Sequence, residues 1–467
     1  MEFVRRFERQ RRRISLLTAT TVALLGIPQA VAAAVPAEIA ARLGNDLTPT
    51  GAERGANADG SIPAWTGGLT DPPAGLGYQP GMHHPDPFEG EAPLFTITPA
   101  NMADHADKMT GTTKALMQRY KDTYFMKVYP THRTCAGPES AYAAIKQNAL
   151  TGELAEGGNG ITNAIHSKPF PIPNNALEII WNHMMPLSIF KATRQFAAAV
   201  PTSSGNYVHF TVQDEAIVAW NDPKITKVEQ LENVWAKYIA HTLAPARSAG
   251  NVVLVHETIN MAKQARLAWF YSPGTRRVRR APDIAYDNPG TNTDGMATVD
   301  SLGGFNGSPD RYDWTFIGKK ELYIPYNNYR LGSDKVKYDD YIQPYHINQE
   351  YPRYELHRVW VIEANLKPGT RHVYQRRRFY IDEDSWGIVA TELYDTRGEL
   401  WRVQENFPMT AYEVPTCSGI GGTSYDLMGE RYLIGGLINE EPPINYFADE
   451  LNEDRYTPAS ISKLSGR

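Results

Sequence analysis

Cysteine is nearly absent: the 467-residue chain contains only Cys135 and Cys417. Two thiols are too few for a structural zinc site without help from histidine. In an oxidising compartment they can pair, or they can stand as two separate thiols. An excess of basic charge is missing too. Residues 1–34 hold six Arg and two Glu, which leaves 41 basic and 50 acidic residues beyond them, a net charge of −9. That balance argues against a nucleic-acid partner, whose phosphates require a basic face. No run of about 18 apolar residues follows the N-terminal region, so nothing later reads as a membrane-spanning helix. No G-x-S-x-G, H-E-x-x-H or C-x-x-C motif occurs. The glycine-rich stretch Glu156–Gly160 lacks the spacing and the lysine of a phosphate-binding loop. No βαβ alternation appears, which argues against a doubly wound sheet. No catalytic residue, metal or cofactor is assigned.

What is present begins with a targeting segment. Six arginines between Arg5 and Arg13 precede a mostly apolar stretch, Ile14 to Ile27, and then small residues, Gln29 to Ala34. This order predicts a signal peptide over residues 1–34, cleaved on export to the periplasm. No cysteine follows the apolar stretch to carry a lipid. Residues 35–97, rich in Pro, Gly, Asp and Ala, read as an extended arm, with His83-His84 a solvated pair inside it. Residues 98–225 read as a helical and irregular region. Thr98-Pro99 opens a helix to about Tyr124, Pro138 to Leu150 forms another, and Asn175 opens a third. Thr226-Lys227-Val228-Glu229 is a capping-box signature, and Val228, Leu231, Trp235, Tyr238 and Ile239 then form an apolar stripe at helical spacing.

From Asn251 the pattern becomes β. Leu267 to Pro282 is an aromatic strand, a Ser-Pro-Gly-Thr turn and a basic strand. Arg353 to Ala364 alternates, with Tyr354, Leu356, Arg358, Trp360 and Ile362 on one face. Thr370 to Ile381, Gly387 to Tyr394 and Glu399 to Val403 continue as a meander. Asp382-Glu383-Asp384 reads as a solvated hairpin tip, His256 as a structural histidine, and residues 441–467 as a polar tail. The fold class is therefore α+β and β-rich: a strongly curved antiparallel sheet over 226–440, helices packed in and over its hollow, and a long irregular N-terminal arm. Trp269, Tyr271, Trp314, Phe316, Trp360, Tyr374 and Tyr380 are candidate walls of an apolar ligand cavity. Arg276, Arg280, Arg376 and Arg378 are candidates for an anionic head group, or else a charged outer face paired with neighbouring acids.

Several stretches carry a family likeness: LTPTGAERGANADGSIPAWTGG (Leu47–Gly68), VYPTHRT (Val128–Thr134), GGNGI with PFPIPNNALEIIWNH (Gly157–His183), WFYSPGTRRVRRAP (Trp269–Pro282), DWTFIGKKELYIPYN (Asp313–Asn327) and RRFYIDEDSWGIV (Arg377–Val389). The chain resembles a bacterial periplasmic domain-of-unknown-function family whose members are labelled outer-membrane lipoprotein-sorting proteins. The resemblance implies a half-barrel similar to the LolA/LolB carriers, with an apolar hollow lidded by helices. It also implies two partners, a resistance-nodulation-division type inner-membrane exporter and an outer-membrane barrel protein. The expected function is that of a periplasmic carrier or adaptor binding a lipid, acyl chain or steroid-like compound. The alternatives are a periplasmic hydrolase of lipid or glycan, and a structural adaptor whose half-barrel is filled by its own side chains.

Overall fold

A computed structural model describes residues 34–281 and 286–464. The expected signal peptide falls, but for Ala34, outside them. The described residues belong to one compact unit. In chain order the strands are β1 (Phe95–Ile97), β2 (Met126–Tyr129), β3 (Glu153–Leu154), β4 (Ile161–Thr162), β5 (Lys191–Ala199) and β6 (His209–Ile217). Then come β7 (Val234–Ala244), β8 (Val252–Thr258), β9 (Leu267–Ser272), β10 (Arg277–Arg280) and β11 (Tyr312–Pro325). The rest are β12 (Tyr354–Leu366), β13 (Arg376–Asp382), β14 (Ile388–Tyr394), β15 (Leu400–Ala411), β16 (Thr416–Asp426) and β17 (Arg431–Leu437).

All but β3 and β4 join one large, curved, open sheet. It consists of two antiparallel meanders, β5 to β10 and β11 to β17, stitched side by side where β17 pairs with β5. The strand order ends at β1 and β10, and β11, paired among the strands only with β12, is a further edge. At its start β12 also takes β2 in parallel, which carries β1 outward. The sheet thus begins before residue 226, because β5 and β6 lie in the stretch read as helical and irregular.

The helix expected after Thr226 does not form. A short 3-10 turn, Val228–Leu231, ends where Glu232 and Asn233 take positive φ (49° and 68°). Val234–Ala244 then leaves as a strand between β6 and β8. Its buried residues Ala236, Ile239 and Thr242 recur every third position beside register shifts, a spacing that imitates a helical stripe. Its Val, Trp, Tyr, Ile and Thr residues favour the strand. The helix expected from Thr98 is broken into Met102–His105, a 3-10 turn and Gly111–Arg119, since Met109 is extended and the Thr110 side chain caps the second helix by accepting from the Thr113 N–H. The C-terminal segment is packed rather than a free tail: Leu451, Tyr456 and Ile461 are buried with Tyr271, Val252 and Leu254. His84 is likewise buried, within 2.7 Å of Glu413.

The hollow is filled. Every residue from Tyr354 to Val359 is buried, so both faces of β12 are covered there. The largest apolar cluster gathers Leu116, Met117, Tyr124, Tyr341, Tyr354, Phe407, Tyr425 and Tyr432. Glu405 sits among these tyrosines with no exposed surface, its carboxyl accepting from Tyr354 Oη (2.9 Å) and Tyr124 Oη (3.3 Å). Burial pushes Glu405 from 4.5 up to about 7, against the pull of the two hydroxyls. The folded chain therefore holds a proton that the unfolded chain has already lost. This contribution to stability is whole below about pH 4.5 and gone above about pH 7, a fall of roughly 3 kcal/mol. Urea unfolding across that window should show Glu405→Gln flattening the slope; an unchanged slope would sink the assignment.

Cys135 and Cys417 are joined as a disulfide with Cα atoms 5.5 Å apart. It ties the segment after β2 to β16. No helix among the described residues is long and apolar enough to cross a membrane.

Candidate functional site

The N-terminal arm does not lie flat on the sheet. Residues 42–56 arch over the outer part of β11 and β12 and leave a cleft of about 580 Å³, closed on one side by Pro171–Pro173. The arm is held by its own chemistry. Arg42 pairs with Asp46 one helical turn on, and Thr48 Oγ1 accepts from the Ala52 N–H. Gly51 (φ 100°) lies so close to Pro171 that a Cβ there would stand 1.9 Å from its carbonyl oxygen, so only glycine fits.

The opposite wall is built on sheet alternation. Arg358 and Trp360 share a face of β12, and Lys319 of β11 is the Cα partner of Trp360. The Lys319 ammonium stands 4.4 Å from the centre of the Trp360 ring. Trp360 stacks at 5.5 Å on Trp386, whose indole N–H donates to the Thr50 carbonyl and so ties the wall to the arm. Phe316 lies 5.4 Å from Trp360. With Ile317 it forms an exposed apolar lip, 43% and 47% accessible, where the bulge before Gly318 swells the edge strand. Glu53 reaches in from the arm to Lys319 (3.0 Å) and Arg358 (3.5 Å). Burial alone would raise the Glu53 carboxyl, but those two cations hold it below the ordinary glutamate value.

Of the seven predicted wall aromatics, Trp360 lines this cleft and Phe316 lies against Trp360 outside the lining. Trp314 is turned inward and stacks on Phe379 at 5.7 Å. Tyr374 is fully buried, its hydroxyl accepting from Arg402. Tyr380 points to the face opposite Phe379 and donates to Glu392. Trp269 and Tyr271 lie on β9, ten strands from β12 in the sheet order, under the C-terminal segment. The seven therefore do not line one hollow, because the C-terminal segment and the packed core claim five of them. Arg376 and Arg378 both pair with Glu363 (3.2 and 2.8 Å), the charged outer face weighed against a head-group site. Arg276 stands at the exposed β9–β10 turn and Arg280 on the free edge β10. His256 makes a structural bond to the Tyr456 carbonyl.

Sequence reasoning missed Arg42, Glu53 and Lys319. The one available signal was Arg358, a charge in the middle of an apolar alternation. It also misplaced the acidic turn. Asp382, Glu383 and Asp384 are buried, because Arg133 forks onto Asp384 (Nε–Oδ2 2.9 Å, Nη2–Oδ1 2.7 Å) and Lys319 covers Glu383.

The chain is 46% identical to an uncharacterized protein of Pseudomonas aeruginosa over 446 residues, 96% of this chain and 97% of that one. A solved structure of a DUF1329 family protein from Desulfovibrio piger is similar at 10% identity and a TM-score of 0.40, over 58% of this chain and 92% of that one. A LolA superfamily protein from Nitrosomonas europaea is similar at 11% identity and a TM-score of 0.35, over 61% of this chain and 97% of that one. The model of the family described as protein of unknown function DUF1329 matches residues 96–462, and the chain belongs to that family.

Proposed function

We propose that the protein is a periplasmic binding protein for an amphiphile, which it carries between the membranes with its apolar part over Trp360 and Phe316 and an anionic head group at Lys319, Arg358 and Arg42. The observation that supports this reading is the joining of a partly exposed indole to three cations around one cleft, with an exposed apolar lip beside it. The head group would displace the Glu53 side chain, about half exposed, which now meets Lys319 and Arg358. Carboxylate or phosphate suits those donors, and each Å² of apolar chain laid on the indole adds about 25 cal/mol. Exchange with an RND-type exporter and an outer-membrane barrel protein, the partners implied by the resemblance, belongs to the same reading.

The test is titration of the full chain with a dansyl-labelled fatty acid. Trp360→Ala is expected to weaken binding about 10- to 100-fold, the range for an anchoring aromatic. Lys319→Ala should weaken the fatty acid more than the matching fatty alcohol. No binding by the unaltered chain, with no lipid co-purifying in native mass spectrometry, would refute the carrier reading. The filled core around Tyr354–Val359 favours a second reading, a structural adaptor of an envelope complex, and that negative result would support it.

A further inference from the structure

Behind the cleft wall lies a second constellation that ligand binding does not use. Glu355, with no exposed surface, accepts four hydrogen bonds: from Arg353 Nε (2.5 Å), Asn327 Nδ2 (3.0 Å), the His132 N–H (2.8 Å) and His357 Nε2 (3.0 Å). A carboxylate so engaged is the acceptor, so His357 donates to it from Nε2 and turns Nδ1 the other way. Nδ1 faces Asp382 Oδ1 at 4.0 Å, too far for a hydrogen bond. Asp382 Oδ1 has no hydrogen-bond partner, while its sister oxygen takes both the Ser385 N–H and hydroxyl. One ligand atom from each of His357, Asp382 and Asp384 lies within 4.8 Å of the others, and all three residues are buried.

A separate side chain packs on the same imidazole. The Tyr326 ring stacks on His357 at 3.9 Å, and its hydroxyl, on a residue only 3% exposed, is without a hydrogen-bond partner. The unpaired Asp382 oxygen is a buried acceptor that no donor of the protein compensates. Two ligands each about 2.1 Å from one ion stand roughly 3–3.5 Å apart at octahedral or tetrahedral angles, so Nδ1 and Oδ1, now 4.0 Å apart, would close by about half an ångström on an ion.

We infer that His357, Asp382 and Asp384, with the Tyr326 hydroxyl beside them, form a binding site for one divalent transition-metal ion. Imidazole with carboxylate suits Zn²⁺ or Mn²⁺ and disfavours Ca²⁺, which takes oxygen alone. Glu355 is the carboxylate behind the imidazole that fixes its tautomer. Asp384 keeps its Arg133 fork and offers a remaining lone pair. The ion would clamp β12 to the β13–β14 turn and, through Arg133, to the segment carrying Cys135.

The experiment uses the full chain isolated from cells grown with added Zn²⁺ and Mn²⁺, dialysed against metal-free buffer and assayed by inductively coupled plasma mass spectrometry. About one ion per chain is expected, falling at least tenfold in His357→Gln and in Asp382→Asn. Glu355→Gln, which spares the ligands, should weaken retention against a competing chelator about 10- to 100-fold. The unaltered chain decides the matter even if variants fold poorly: less than about a tenth of an ion per chain overturns the site. So does full metal content in folded His357→Gln and Asp382→Asn.

Discussion

Replacing Asp300 with alanine is expected to cost about 3–5 kcal/mol, because it strands a guanidinium that has no exposed surface. Arg377 Nη1 donates to Asp300 Oδ2 at 2.8 Å and Nη2 to the Asp300 carbonyl at 3.3 Å. Its cation is boxed by Phe305, Tyr312, Tyr374 and Phe379, each ring centre 5.1–5.8 Å away. His372 Nε2 stands 2.9 Å from the same carboxylate oxygen. Burial alone would raise the Asp300 carboxyl, yet Arg377 and His372 hold it well below the ordinary range. Its stabilising share is therefore present above the unfolded-state value and lost as pH falls through the folded one. Urea unfolding near pH 7 checks the cost. The double variant Asp300→Leu with Arg377→Met should recover most of the loss, since a buried ion pair is commonly replaceable as a unit. A loss below about 1 kcal/mol for Asp300→Ala would mean that water reaches Arg377 when its partner goes.

Opening the disulfide should rank with that change. Cys135 and Cys417 are separated by 282 positions, so the bond closes most of the described chain into one loop. Cross-links over long loops typically contribute about 2–5 kcal/mol by restricting the unfolded state. Around Cys135 the chain is pinned, with the Trp65 indole N–H donating to its carbonyl at 2.9 Å, so the folded state keeps its shape without the bond. Cys135→Ser with Cys417→Ser should lower the urea midpoint at an almost unchanged slope. Reductant should do the same to the unaltered chain and nothing to the double variant. A midpoint indifferent to reductant would remove the bond from the account of stability.

The long strands were legible because alternation is local. Tyr354 to Ile362 and Arg376 to Ile381 carry their register in their own residues, and tight turns set the order of β12 to β15. Val234–Ala244 was not legible, because buried positions every third residue carry the same signature as one side of a helix, and only pairing with β6 and β8 decides between them. The cleft was half legible. Trp360 and Phe316 announced themselves as aromatics on strands, and Arg358 as a charge among them. Their companions Arg42 and Glu53 come from an arm with no periodicity at all. The acidic turn failed for a related reason: three acids in a row read as solvated until an arginine some 250 residues earlier covers them.

The seam between β17 and β5 has a meaning in time as well as in space. Within each meander most strands pair across connections of four to nine residues. At the seam, Ala199 meets Ile434, Ala198 meets Gly435 and Ala197 meets Leu437, partners more than two hundred positions apart. The middle pair, alanine on glycine, brings almost no side-chain surface, so Ile434 and Leu437 must supply most of what repays so long a closure. The halves can assemble their own ladders first, so joining them falls to the late, slow part of folding, where non-local pairings belong.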